Sequence, residues 1–228
     1  MATTGLALFV DEKLAVADAL YAGECGGDYV DAINIMSALL SGIASELWPG
    51  TREDKARFIE LWVTFSKPAS SLISVPLLLQ WLRKNARGDE ARTIEAARPG
   101  LLDDTGRLRV LIGPEVDMSE VELQSLCPLL STQDMRHQSY PALFYKHVRC
   151  GGAHEYEIKD EATPRPMTSR ETSVSYSNRL DTATGEQKRL IYFHVPWLRE
   201  LISVLVRRVD DCPRPGRPQT WWIDGKTA

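Results

Sequence analysis

The sequence lacks the features of a metal-stabilised, disulfide-linked or membrane protein. Its four cysteines, Cys25, Cys127, Cys150 and Cys212, form no CxxC pair, and the four histidines are not spaced to complete a zinc site with them. The chain has no basic start followed by an apolar leader, and no apolar run approaches the roughly eighteen residues that a membrane span needs. We therefore expect a reduced, cytoplasmic protein with no metal, no cofactor and no membrane association.

The sequence also lacks an excess of positive charge. Its formal net charge is -4 and its pI is about 5.7, which excludes the broad basic surface of a protein that coats nucleic acid. Any contact with nucleic acid is therefore expected in a small local patch. The 228 residues are 43% hydrophobic, so the chain is long and apolar enough to bury a core without a metal or disulfide.

The apolar residues of the sequence follow mainly a helical periodicity. Apolar residues recur three and four positions apart, and capping residues, prolines or glycines bound the segments. Helices are predicted over residues 29–48, 51–66, 74–84, 119–130, 138–149 and 196–209. Two β-rich segments, 172–180 and 187–195, predict a hairpin. The expected fold is mainly α: a single helical-bundle domain over residues 1–228, with an irregular insertion at about 86–118 and an inserted β-hairpin at about 172–195.

The stretch Tyr140–Ile158, YPALFYKHVRCGGAHEYEI, carries the candidate chemistry. In an uninterrupted helix Arg149 and His154, five residues apart, would point roughly 140° away from each other. The glycine pair that separates them is expected to end the helix, because each glycine costs about 1 kcal/mol relative to alanine. A left-handed turn there would bring His154 back beside Arg149. Alternatively, the glycines would let another backbone approach closely, as at a subunit interface.

An arginine and a histidine held together suit one reaction. Arginine stays protonated and binds a phosphate through its planar fork of donors. The fixed positive charge favours a neutral imidazole, which can take a proton from a ribose 2′-hydroxyl while the arginine stabilises the charge on the phosphate. This chemistry needs no metal, and it cleaves RNA but not DNA, since only RNA has the internal nucleophile.

The segment RCGGAH, Arg149 to His154, resembles the Arg, four-to-six residues, His signature of the HEPN superfamily. The resemblance implies a small helical domain with the signature near the end of a long helix. It also implies a metal-independent endoribonuclease, often a toxin or anti-phage effector, whose dimer lines one cleft with two Arg–His pairs. RNA, a second copy of the chain and a cognate antitoxin or regulatory protein are the implied partners. Active members usually have a polar residue directly after the arginine, where this chain has Cys150.

Arg149 and His154 are thus the candidate catalytic residues, and Lys146, Tyr145 and Tyr156 the candidate RNA-binding residues. Each has a structural alternative. Arg149 could pair with an acidic residue at the helix end, Lys146 could be a solvated charge, and the tyrosines could belong to the core. Two alternative functions also stay open: a catalytically inactive HEPN-like module that binds nucleotide, RNA or a protein, and a purely structural helical protein.

Overall fold

A computed structural model describes residues 5–50, 53–98, 101, 110–151, 158, 161–165, 168, 170, 172–180, 187–212 and 215–228. The fold is mainly α with a small antiparallel sheet, as the sequence predicts. In chain order the α-helices are α1 (Gly5–Tyr21), α2 (Tyr29–Leu47), α3 (Asp54–Phe65), α4 (Val75–Lys84), α5 (Gly88–Ala97), α6 (Gly113–Val116), α7 (Glu120–Leu126), α8 (Thr132–Arg136), α9 (Tyr140–Phe144) and α10 (Val195–Asp211). Short 3₁₀ turns cover Glu24–Gly26 and Pro68–Ser71.

Helix α2 lies at the centre of the helical part and contacts α1, α3 and α10. Its start is fixed by a capping box, in which Asp28 accepts from the first-turn amides and Asp31 accepts from the amide of Asp28. By length and composition α2 is the one helix in the described part of the chain that could cross a membrane. Its fully buried face, which includes Ile33, Met36 and Leu40, instead packs in the core of the domain.

Helix α1 has no counterpart among the predicted helices. Its core contacts are made by Val10, Leu14 and Ala17, which are almost completely buried and recur at helical spacing. Leu8 and Phe9 stay about half exposed, so apolar residues lie on both sides of the helix and blur its amphipathic pattern. The helix is therefore recognisable from its packing against α2 and α10 and not from its sequence alone.

The prediction of an irregular insertion at about 86–118 is wrong for much of that range, because part of it is helical. Residues 88–97 form helix α5, which buries Ala91 and Ile94 against its neighbours and carries Asp89 in its positively polarised first turn. The segment looks polar because only one narrow face of this helix is covered. The following residues form strand β1 (Leu111–Ile112) and the short helix α6, while residues 102–109 lie outside the described part of the chain.

The predicted hairpin is confirmed and forms part of a three-stranded sheet. Strands β2 (Val174–Leu180) and β3 (Gln187–Phe193) pair antiparallel, with Val174 opposite Phe193. Strand β1 adds to the free edge of β2, placing Leu111 opposite Tyr176. Residues 181–186, which join β2 to β3, lie outside the described residues. Strand β1 is followed directly by α6, which begins at Gly113.

A buried carboxyl group connects the sheet to the helices. Asp117 Oδ2 accepts hydrogen bonds from the hydroxyls of Tyr140 and Tyr176, at 2.5 and 2.6 Å, and Oδ1 accepts from the amide of Val75 at 3.0 Å. Although the tyrosine hydroxyls favour the carboxylate, burial dominates and raises the pKa of Asp117 to about 7. Gly113 lies against this cluster, where a side chain would meet Val174 and Asp117.

The predicted helix over residues 138–149 exists, but it is a regular α-helix only through α9. From Tyr145 to Arg149 the chain forms a π turn, in which the amide of Cys150 donates to the carbonyl of Tyr145 five residues earlier. Phe144 holds this junction in place by packing against Phe58 of α3 and Phe193 of β3, with ring centroids 6.1 and 5.1 Å apart. The π turn lies at the candidate site, where such turns are often found.

Candidate functional site

The side chain of Arg149 is held in one place by two other helices. Its Nε donates to Ser41 Oγ of α2 at 2.9 Å, and its Nη2 donates to Asp54 Oδ2 of α3 at 3.3 Å. These contacts use two of the five N–H donors of the guanidinium. The side chain keeps 23% of its surface exposed. Arg149 is therefore a fixed cation that still faces solvent.

Asp54, at the start of α3, organises this part of the site. The hydroxyl of Tyr145 donates to the same oxygen, Oδ2, at 2.8 Å, while Oδ1 lies 3.6 Å from Nη2 of the buried Arg57. Asp54 therefore balances two arginines with one carboxylate, and a net positive charge remains. Burial raises the pKa of Tyr145, and the hydrogen bond to Asp54 raises it further, so this phenol stays protonated.

A second cation and a histidine lie beside this pair. Nζ of Lys55, the residue after Asp54, lies 3.4 Å from Nδ1 of His137 at the end of α8. Partial burial and the Lys55 charge lower the pKa of His137, so its imidazole is neutral at pH 7. Although the Lys55 side chain is exposed, the protein encloses its ammonium group closely enough to lower the pKa of Lys55, and the charge of Lys146 acts in the same direction.

Lys146 and His147, on the π turn, share one carboxylate. Lys146 Nζ lies 3.5 Å and His147 Nε2 lies 3.0 Å from Oε2 of Glu161. His147 is completely buried, whereas Lys146 is exposed. The hydrogen bond from His147, supported by the Lys146 charge, lowers the pKa of Glu161 to about 2. Glu161 thus fixes the outer side of the π turn.

The C-terminal segment borders the cluster. Trp222 attaches it to the helices: its amide donates to Glu60 Oε2 at 2.8 Å, and its carbonyl accepts from Nη1 of Arg136 at 2.6 Å. The Arg136 guanidinium also lies 4.7 Å from the centre of the Trp222 ring. This attachment places Asp224 and Lys226 close enough to influence the pKa of Lys55.

Three of the five predicted site residues lie in the described part of the chain. Tyr145 and Arg149 are brought together on Asp54, and Lys146 lies close enough to Lys55 to affect its pKa. His154 and Tyr156 lie outside the described residues, so the predicted convergence of Arg149 and His154 stays a prediction. Gly151 is still helical and buried, and Gly152 lies outside the described residues. The acidic partner found for Arg149 is Asp54, a residue distant in the sequence.

The sequence did not point to Asp54, Lys55 or His137 as members of the site. Lys55 and His137 are 82 residues apart, and each looks like an ordinary surface residue next to its own helix end. Their proximity follows from the packing of α3 near α8 and the π turn. Asp54 could be seen in the sequence only as an acidic residue in the first turn of a helix. Such residues are common because they interact favourably with the helix dipole, so this position did not indicate a functional site.

The described residues contain no group of three or more His, Cys, Asp or Glu side chains that could hold a metal ion. No family model, curated protein or solved structure matches the chain. The resemblance to the HEPN superfamily therefore depends on the Arg149–His154 motif alone and stays a prediction.

The cluster of Lys55, His137, Lys146 and Arg149 defines what this surface can do; we refer to it as the cationic cluster. It offers a rigid guanidinium, two ammonium groups and a neutral imidazole on a chain whose overall charge is negative. Such a group can bind a phosphodiester and exchange a proton near it. The charge is local, as the composition requires.

Proposed function

We propose that this protein is a metal-independent endoribonuclease of the HEPN type. In this proposal Arg149 binds the scissile phosphate and His154 takes the proton of the adjacent 2′-hydroxyl. The 2′-oxygen then attacks phosphorus and the bond to the 5′-oxygen breaks. The leaving 5′-oxygen takes a proton from the protonated His154 or from water, so the products carry a 2′,3′-cyclic phosphate and a 5′-hydroxyl. A toxin or defence effector that acts in the cytoplasm would use such a reaction.

The observation that carries this proposal is the cationic cluster around the π turn, which precedes His154 in the sequence. Arg149 is preorganised by Ser41 and Asp54, so little ordering is required when a phosphate arrives. Since Asp54 is shared with Arg57, it does not cancel the charge of Arg149. Lys55 and Lys146 add positive charge, of which Glu161 and Asp224 balance a part. An acidic protein with a compact cationic site would bind RNA through that site.

The other motif residues receive specific roles. Lys146 is exposed and suits a phosphate neighbouring the scissile one. Tyr145 packs edge-on against Phe58, with centroids 5.3 Å apart, and donates to Asp54, so we assign it to positioning Arg149 and not to base stacking. Tyr156 remains the candidate for stacking on a base.

A cleavage assay with matched variants tests the proposal. Purified protein is incubated with mixed RNA in EDTA, and His154→Ala, Arg149→Lys and Arg92→Lys are assayed in parallel. We expect cleavage by the wild type, loss in His154→Ala and at least a tenfold loss in Arg149→Lys, because lysine cannot form the bidentate contact. Arg92, an exposed residue of α5 paired with Asp89, is the control and should be unaffected. Equal cleavage by wild type and His154→Ala would exclude this mechanism.

A second function, RNA binding without cleavage, is favoured by two observations. The Asp54 carboxylate contacts Arg149 directly, and Cys150 stands where active HEPN members usually have a polar residue. In that case the protein would bind RNA in the same assay without degrading it. Lys55→Ala should then reduce the slope of log K against log salt by about 0.7, the value for one phosphate contact on a single strand. Arg92→Ala should leave the slope unchanged.

The proposed homodimer and the cognate antitoxin or regulatory protein belong to the nuclease proposal as well. A dimer would place two cationic clusters on one groove. Light scattering of the purified protein gives its oligomeric state, and a heterodimer of His154→Ala with wild type would reveal whether both sites are needed. Monomeric protein with full activity would exclude the shared groove.

A further inference from the structure

Helix α1 has a second apolar face that no element in the described part of the chain covers. The buried residues of this helix pack on α2 and α10. Leu8, Phe9 and Val16 lie away from that contact and are 55, 51 and 47% exposed. A helix that is apolar on both sides is normally buried on both sides. The outward face of α1 is therefore expected to contact a partner.

The outward face is continuous along the helix. At about 100° per residue, its members fall within a sector about 120° wide, opposite the buried residues of α1. Lys13 lies at the edge of this sector, with its Nζ 5.4 Å from the centre of the Phe9 ring. The sector itself, which we call the outer face of α1, consists of Leu8, Phe9, Glu12, Ala15, Val16 and Ala19.

The bulk of the outer face is distributed unevenly. The large side chains of Leu8 and Phe9 lie in the N-terminal half of the helix, and the small side chains of Ala15 and Ala19 lie in the C-terminal half. In an antiparallel pair of α1 helices, the large half of one copy meets the small half of the other, so the side chains interdigitate. A parallel pair would oppose large to large and small to small. The outer face is thus complementary in shape to an antiparallel copy of itself.

The charges at the middle of the outer face are also self-complementary. A two-fold axis near residue 12 places Phe9 of one copy opposite Ala15 and Val16 of the other. The same register brings Glu12 of each copy beside Lys13 of the other. Because the contact is symmetric, both ion pairs form together. A second copy of the chain therefore satisfies the one carboxylate on this face.

An anionic membrane fits the outer face less well. Glu12 lies within the face and Asp11 is exposed beside it, whereas Lys13 is the one basic residue of α1. Helices that lie on anionic membranes instead carry several lysines or arginines on their polar side. The charge of α1 thus favours a second copy of the chain as the occupant.

From these observations we infer that the protein forms a symmetric homodimer through an antiparallel pair of α1 helices. Leu8 and Phe9 of each copy pack against Ala15 and Val16 of the other, and Glu12 pairs with Lys13. The 17-residue helix is about 25 Å long, so this contact buries less area than a standard interface of ~1,600 Å². The dimer is therefore reversible, with a dissociation constant of about 10 µM.

This contact differs from the shared groove of the nuclease proposal. The outer face of α1 contains no residue of the cationic cluster, and the inference does not rest on RNA cleavage. Substitutions on α1 can therefore change the oligomeric state without touching the residues assigned to the reaction.

Sedimentation velocity of the full chain between about 1 and 100 µM tests the dimer, and charge variants test its register. Wild type should convert from monomer to dimer over this range. Glu12→Lys and Lys13→Glu should each weaken the dimer at least about tenfold, because each variant opposes like charges twice across the two-fold axis. An equimolar mixture of the two variants should restore the dimer, because opposite charges then face each other again.

Ala15→Phe tests the complementarity of shape. It adds apolar surface but places a second large side chain opposite Phe9, so the dimer should weaken about tenfold, whereas a non-specific apolar contact would become stronger. Val121→Glu is the control, because Val121 is 79% exposed on α7, outside the outer face, and should leave the dissociation constant unchanged. All four substituted positions are exposed, so the core of the fold is not disturbed.

Three results would overturn the inference. The first is a chain that stays monomeric over the whole concentration range. The second is a dimer that both charge variants leave intact, or that their mixture does not restore. The third is a monomeric chain that co-sediments with vesicles containing phosphatidylserine, which would assign the outer face of α1 to a membrane. The RNA cleavage assay is unaffected by any of these results, so the two proposals fail separately.

Discussion

Nζ of Lys55 and Nδ1 of His137 lie 3.4 Å apart, at the contact between the start of α3 and the end of α8. Since an ammonium group has no acceptor, this contact requires a lone pair on Nδ1 and therefore a neutral imidazole. The direction of the pKa shift of His137 agrees with this geometry. His137, which looks like an ordinary surface residue in the sequence, is thus a neutral base next to a cation.

Removing the Lys55 charge should raise the pKa of His137. In Lys55→Met the repulsion between ammonium and imidazolium is lost, while the effect of burial, the larger cause, stays. The pKa is measured by NMR titration of the imidazole Cε1 proton. Lys13→Met, an exposed lysine on α1, is the control and should leave the value unchanged. An unchanged pKa in Lys55→Met would mean that burial alone determines the protonation of His137.

The contact between His147 and Glu161 should make stability depend on acid pH. The pKa of Glu161 is lowered to about 2 in the folded chain, against about 4.3 when unfolded, so the contact stabilises the fold fully above the unfolded value. This contribution is lost as pH falls from about 4.3 towards 2. Because the carboxylate is 34% exposed, we discount the shift for solvent screening and expect about 1–2 kcal/mol at pH 7.

Urea unfolding of Glu161→Gln and wild type at pH 7 and at pH 3 measures this contribution. The difference in the free energy of unfolding should shrink at the lower pH. A constant difference between the two pH values would contradict the assignment. Glu95→Gln, which removes the exposed pair with Arg83, gives the background for a surface carboxylate.

Asp117 should produce a pH dependence of the opposite sign. A carboxyl with a raised pKa is protonated more readily in the folded chain, so folding is penalised once the unfolded chain ionises above about pH 3.9. The penalty grows until pH reaches the folded value of about 7, where it amounts to roughly 4 kcal/mol, and is constant above it. Stability of the wild type relative to Asp117→Asn should therefore fall between pH 4 and 7 and then level off.

This comparison uses the slope and not the absolute stability, because asparagine also changes the hydrogen bonds to Val75 and the two tyrosines. Unfolding free energies at half-unit pH intervals provide the slope. Parallel curves for wild type and Asp117→Asn would show that this carboxyl is ionised in both states.

Two glycine-to-alanine substitutions should have opposite effects. A Cβ on Gly113 would collide with Val174 and lie 2.5 Å from the Tyr140 hydroxyl. Gly113→Ala should therefore lower the free energy of unfolding by more than about 2 kcal/mol. Gly42 lies inside α2 with no atom within 4 Å of its added Cβ, so Gly42→Ala should gain about 1 kcal/mol from helix propensity. Thermal and urea unfolding measure both, and a destabilised Gly42→Ala would contradict the packing described for α2.

The sequence predicted the elements whose signals are local. Helix α2 has a wide apolar stripe and is followed by Pro49, and α10 carries a proline in its first turn, so both were predicted nearly at their observed bounds. Helix α5 was missed because two buried residues, Ala91 and Ile94, leave too weak an apolar pattern. The π turn was missed because its residues satisfy α-helical periodicity equally well.

The candidate site also depends on contacts between residues that are distant in the sequence. Arg149, Lys146 and Tyr145 could be selected because they lie within a few residues of each other in the motif. Asp54 reaches Arg149 across 95 residues of sequence, and no local pattern encodes such a contact. Which acidic group holds the arginine, and which second histidine accompanies it, are determined by the packing of α3 and α8.

Buried Asp117 has a calorimetric consequence. Near neutral pH the folded chain holds more of this proton than the unfolded chain, so Asp117 releases protons on thermal unfolding, while His137 and His194 take protons up. The heat measured in a scan then includes the ionisation enthalpy of the buffer. Scans at one pH in phosphate and in Tris should therefore give apparent enthalpies whose difference changes between wild type and Asp117→Asn, and that change counts the protons that Asp117 releases.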